Sequence, residues 1–192
     1  MGQYRSNNNL SADAICQHFE NIHVEYTNDF PLYGKFLEQH LFFTTVSFDL
    51  QKVTNFRSKA PTQLTEFGRL HFKISRYLLG NNLNRKRRHQ PLTYAFVDFE
   101  GSRLGQSDAI HSELPHIHAL TLVAPKYLAK FRSAIFEPRL RSWVGSINGI
   151  QIKNFSEDEG TIENLVSYCM KGHNQTAPSH FEREDLWSIF PR

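Results

Sequence analysis

Two apolar stretches, 92–100 (LTYAFVDFE) and 114–123 (LPHIHALTLV), are separated only by the polar connection from Gly101 to Glu113. Both are rich in β-branched and aromatic residues and read as strands. The connection is too short to hold a crossover helix, so the two strands pair antiparallel. That pairing suggests an antiparallel sheet with helices packed on it.

The remaining elements fit around that hairpin. A short helix is expected over about 11–21, followed by irregular chain through Asp29-Phe30-Pro31. The run at 41–50 (LFFTTVSFDL) reads as a buried strand. From Thr62 to Leu79, apolar Leu64, Phe67, Leu70, Ile74, Tyr77 and Leu78 recur at helical spacing, and Gly80-Asn81-Asn82 ends that helix. Pro125 opens a helix to about Phe136, and a short strand follows at 150–155. The last helix is expected from about Glu157 to Lys171. Ser156 and Glu159 form its capping box, the acids 157–159 suit its positive end, and Gly172 stops it. The fold class is therefore α+β, a central antiparallel sheet with flanking helices. Residues 1–40 form an N-terminal extension and helix of the same domain, 41–173 its core and 174–192 a C-terminal tail.

A chain of 192 residues can bury such a core without staples. Cys16 and Cys169 lie far apart and form no redox or metal spacing, which favours a reducing compartment. No apolar run approaches the ~20 residues that span a bilayer, and the polar start is not a secretion signal. A soluble protein, intracellular and cytoplasmic with no membrane partner, is the expectation.

The net charge of +3 conceals strong segregation. Residues 51–90 carry ten Lys or Arg against Glu66 alone, and 126–153 carry six against Glu137 alone. Local positive fields of this kind suit a polyanion such as nucleic acid. The run Arg85, Lys86, Arg87, Arg88 is the densest and is the candidate DNA-binding segment.

Alternate residues of a strand share a face, so His116 and His118 point the same way while Ile117 points to the other side. Two imidazoles about 7 Å apart along one strand can converge on a divalent ion. A third ligand is expected from the neighbouring strand, where Tyr94, Phe96, Asp98 and Glu100 share a face. Acids in an apolar strand are costly to bury unless paired or metal-bound. Glu100 is favoured for its longer arm and its place at the strand end, with Asp98 the alternative.

On the last helix, Ile162, Leu165, Val166 and Cys169 form the apolar stripe, and Tyr168 and Lys171 neighbour each other on its flank. A Tyr beside a Lys at the edge of the core is a candidate nucleophile, because an ammonium and a metal favour its phenolate. A second Tyr-x-x-Lys, Tyr127 to Lys130, follows the His strand, which carries the chain about 16 Å past the histidines. Tyr127 is therefore assigned to structure.

The strand FFTTVSF (42–48), then His116-Ile117-His118, then Tyr168-Cys169-Met170-Lys171 resembles, in order and spacing, the three motifs of the HUH endonucleases. Within them the chain is most similar to single-tyrosine rolling-circle replication initiators, over about residues 41–173. The resemblance implies Mg²⁺ or Mn²⁺ held by both histidines and an acidic or polar third ligand, with Tyr168 and Lys171 catalytic. It implies nicking and joining of single-stranded DNA at a replication origin, presented as a hairpin or as open strand. Two features depart from the pattern. No G-x-x-x-x-G-K-[ST] motif is present, so a host helicase would act in trans, and the catalytic helix has no second Tyr. The 174–192 segment, with Trp187 and Phe190, has no counterpart. Alternatives are a Y1-type HUH transposase or relaxase, a zinc hydrolase using the same ligands on water, and a non-catalytic DNA-binding module.

Overall fold

The computed structural model describes residues 10–26, 28, 31–49, 62–98, 116–136, 140–171 and 187–191. Its elements run α1 (Ala12–Val24), α2 (Tyr33–His40), β1 (Leu41–Phe48), α3 (Thr62–Leu79), β2 (Leu92–Asp98), β3 (His116–Leu122), α4 (Leu128–Phe136), β4 (Ile147–Asn154), α5 (Ile162–Cys169) and β5 (Trp187–Phe190). The class is α+β. The sheet has five strands in the order β4-β1-β3-β2-β5, and each recorded pairing is antiparallel.

Strand alternation divides the side chains between two cores. Phe42, Val46, Ala95, Val97, Ile117 and Ala119 face one way and are covered by α3 and α4. Leu41, Tyr94, Phe96, Leu120 and Leu122 face the other way, beneath α1, α2 and α5. On the α3 face, Thr93 and Thr121 are directly opposite and hydrogen bonded at 3.0 Å, which satisfies two buried hydroxyls together.

Helix α3 has the bounds its periodicity predicts. It buries Leu64, Phe67, Leu70, Ile74 and Leu78, whereas Tyr77 lies at the stripe's edge, 38% exposed against Trp143. Gly80, at φ 70, stops the helix where an L side chain would be strained. The basic run that follows is not an open loop but part of a 3₁₀ segment, Gly80–His89.

Several boundaries differ from the sequence reading. Helix α2 falls over residues 33–40, for which the sequence reading named no element, and runs directly into β1. Strand β4 begins at Ile147, earlier than expected, and includes Gly149 opposite Ser47. A Cβ at Gly149 would lie 2.7 Å from the Ser47 hydroxyl, so close strand approach, not a turn, accounts for that glycine. The helix expected over 157–171 is split. Glu157–Glu159 form a 3₁₀ turn and Ser156 makes no side-chain cap; Gly160, at φ 138, breaks the path. Thr161 caps α5 instead, its hydroxyl accepting from the Asn164 amide at 3.3 Å. Gly172 lies outside the described residues.

The segment treated as a tail contributes β5, hydrogen bonded to β2 with Trp187 opposite Phe96. Phe190 packs on Phe67 and His71 beneath α3. No described helix is long and apolar enough to cross a membrane.

Candidate metal centre

The β2–β3 register sets Asp98 directly opposite His116, and Phe96 opposite His118. All three polar side chains stand on the α5 face of the sheet, at the end where β2 finishes and β3 starts. The Nε2 atoms of His118 and His116 lie 3.0 and 3.3 Å from one Asp98 oxygen, Oδ2, and 3.1 Å from each other. One donor atom from each of the three residues lies within 4.8 Å of the others.

Asp98 is 1% exposed. Burial alone would raise its pKa, but hydrogen bonds from His116, His118 and Lys171 and the charge of Lys171 hold it well below the usual carboxylate range. The Lys171 ammonium donates to the same Oδ2 at 2.8 Å. Burial also lowers the pKa of His118, against the pull of Asp98, and so favours the neutral imidazole that a metal requires.

Strand β1 supports this group from the other side of β3. Thr45 is opposite His118, and its hydroxyl lies 3.2 Å from Nδ1. That contact fixes the ring with Nε2 towards Asp98, the usual second partner of a ligating histidine. Phe43 stacks on the His118 ring with centroids 5.2 Å apart.

Helix α5 then lays Tyr168 on the group. Its ring centroid is 5.1 Å from that of His118 and 6.1 Å from that of Phe43. Buried Val166 and Cys169 anchor the helix on the sheet and turn its 168–171 flank towards the ligands. Lys171 Nζ lies 4.6 Å from the Tyr168 ring centroid, so this lysine touches both the carboxylate and the aromatic ring.

Two imidazole nitrogens and a hard carboxylate oxygen, converging from adjacent strands, form a donor set that suits a divalent cation. The structure thus supports a possible metal site without identifying the ion. Comparison with family models, with curated proteins and with solved structures yields no match.

Among the expected site residues, His116, His118, Tyr168 and Lys171 come together. Asp98 occupies the carboxylate position of the group, and Glu100, the ligand favoured from the sequence, lies outside the described residues. Tyr127 is partly buried against the α3-side core, on the other face of the sheet. Arg85, Lys86, Arg87 and Arg88 lead into the end of β2 where Leu92 pairs with Leu122. Along β2 that end lies about 20 Å from Asp98, so the basic run does not line the metal group. Sequence reasoning missed Thr45 and Phe43. Alternation in FFTTVSF puts both on one face, but nothing in the sequence pairs that face with the histidines.

Proposed function

We propose that the chain is a metal-dependent, single-tyrosine endonuclease of the HUH type, which nicks and rejoins single-stranded DNA to initiate rolling-circle replication. The observation that carries this reading is the seating of Tyr168 and Lys171 on the Asp98–His116–His118 group. A hydrolytic metal site activates water as its nucleophile and does not require a tyrosine there.

His116, His118 and Asp98 would hold Mg²⁺ or Mn²⁺. When bound, the ion supplies electrophilic polarisation of the scissile phosphodiester. The phenol oxygen of Tyr168 attacks phosphorus, forming the O–P bond as the bond to the 3′ oxygen breaks. The phenol gives up its proton and the departing 3′ oxygen gains one, leaving a 5′-phosphotyrosine and a free 3′-OH. Contacts with His118 and Phe43 hold the Tyr168 ring before attack, and the Lys171 ammonium stabilises the developing phenolate. The phosphotyrosine ester conserves the bond energy, so attack by a 3′-OH reverses the step without ATP. An origin strand is the proposed substrate, and a helicase supplied in trans would unwind it.

A labelled single-stranded oligonucleotide incubated with the protein and Mn²⁺, then run on a denaturing gel, tests the proposal. The expected product is a slow-migrating covalent adduct that disappears in Tyr168→Phe while metal binding persists. An adduct that survives Tyr168→Phe overturns the nucleophile. Cleavage that is indifferent to Tyr168→Phe and leaves no adduct supports the zinc-hydrolase reading, to which the same donor set is suited.

A further inference from the structure

Helix α3 covers one face of the sheet, while the metal group lies on the other. Its buried stripe accounts for Leu64, Phe67, Leu70, Ile74 and Leu78, but not for Phe72, which is 51% exposed. Phe72 and Arg76 are four residues apart and neighbour each other on the outward side of the helix. Where α3 passes into the 3₁₀ segment, they meet Gly80, Asn81, Leu83 and Asn84 around an open groove of about 330 Å³.

The stretch of sequence that forms this surface is rich in cations. From Phe67 to Val97 the sequence holds seven Lys or Arg and no Asp or Glu. Arg85 and Arg87 are exposed in the segment that follows the groove, whereas Arg88 lines a pocket with Glu25 on the α1 side; Lys73 on α3 and Lys130 on α4 bond to the carbonyls of Trp143 and Leu78. Arg69 is neutralised locally by Glu66 and takes no part.

We propose that this groove is a metal-independent docking site for unpaired bases of single-stranded DNA. Phe72 is the stacking platform, Arg76, Arg85 and Arg87 hold phosphates, and Asn81 and Asn84 face base edges. Exposed aromatic area beside exposed cationic side chains is the combination single strands require. An acidic peptide would use the cations but would gain little from a flat ring flanked by two amides. The choice of DNA rests on the proposed nicking function, yet the site lies behind the sheet from the metal group. It therefore holds the strand away from the scissile bond and not at it.

Binding of a dye-labelled oligothymidylate to the full chain in EDTA, followed by fluorescence anisotropy, tests this separately from cleavage. Phe72→Ala is expected to weaken binding about five- to a hundredfold, as loss of one stacking platform does, with an unchanged salt slope. Arg76→Ala should weaken binding and lower the salt slope by about one. Both side chains are exposed, and circular dichroism checks that both variants fold. Wild-type affinity in both variants overturns the proposal, as does tighter binding of polyglutamate than of the oligonucleotide. Loss of binding in the two variants of a protein that never forms the tyrosine adduct upholds this site and refutes the nicking function alone.

Discussion

Asp98→Asn is the sharpest perturbation of the metal group, because it keeps the shape of the side chain and removes its charge. In the metal-free protein Asp98 Oδ2 takes contacts from Lys171 at 2.8 Å, His118 at 3.0 Å and His116 at 3.3 Å. Breaking a buried ion pair from one side costs about 3–5 kcal/mol. Lys171 retains part of its exposure and can turn to solvent, so about 2–3 kcal/mol is the expected loss. The metal-linked part is separate. At a metal concentration 100 times Kd, linkage stabilises the wild type by about 2.7 kcal/mol. For a chain of this size that is a rise in Tm of roughly 5–10 °C. A hundredfold loss of affinity leaves only RT ln 2, about 0.4 kcal/mol, and a rise near 1 °C. Differential scanning fluorimetry with and without Mn²⁺ reads both effects, and Glu100→Gln is the control. A full metal-induced shift in Asp98→Asn, with its loss in Glu100→Gln, would return the third ligand to Glu100 and refute the assignment.

Thr45→Val keeps the packing but removes the partner of His118 Nδ1. Mn²⁺ affinity measured by calorimetry should fall about 10- to 100-fold with little change in fold stability, and an unchanged affinity would deny Thr45 a role in orienting the ring. His71 is buried and hydrogen bonded to the Pro91 carbonyl at 2.9 Å, and burial pushes its pKa down to about 4. The unfolded ring binds its proton near pH 6.5 and the folded one only near 4, so this stability is present above 6.5 and is lost as pH falls towards 4. Urea unfolding should show about 2–3 kcal/mol lost over that window. His71→Gln should flatten the profile, and an equal slope in the variant would contradict the assignment.

Much of the fold was legible because periodicity is a local property. The stripe of α3 and the alternation of β1, β2 and β3 are written in consecutive residues, as is the placing of His116 and His118 on one face. What escaped depended on distant partners. Strand β4 begins at Ile147 because Ser47 lies against Gly149, which no local pattern reveals. Trp187–Phe190 is too short to declare itself a strand without the edge of β2 beside it. Helix α2 has no side-chain cap and draws its stability from Phe36 and Leu37 in the core beneath α1 and α5. In the site, chain order suggested Tyr168 and Lys171, but their distance from His118 and Asp98 depends on how α5 is anchored. The capping box failed for a local reason: Gly160 competes with it, and Thr161 offers a better start one residue later.

The strand order also bears on how the chain assembles. Among the described strands, only β2 and β3 are neighbours both in sequence and in the sheet. Strand β1 must wait for β3 and β4, and β2 for β5, so most of the sheet closes through long-range pairings that fold slowly. The pairing with the shortest connection, expected to close first, is the one bearing Asp98, His116 and His118. During synthesis this pairing becomes available before α5 has emerged. The ligand-bearing and nucleophile-bearing halves of the site would then arise at different stages of folding, and a cation could engage the first half while the second is still unmade.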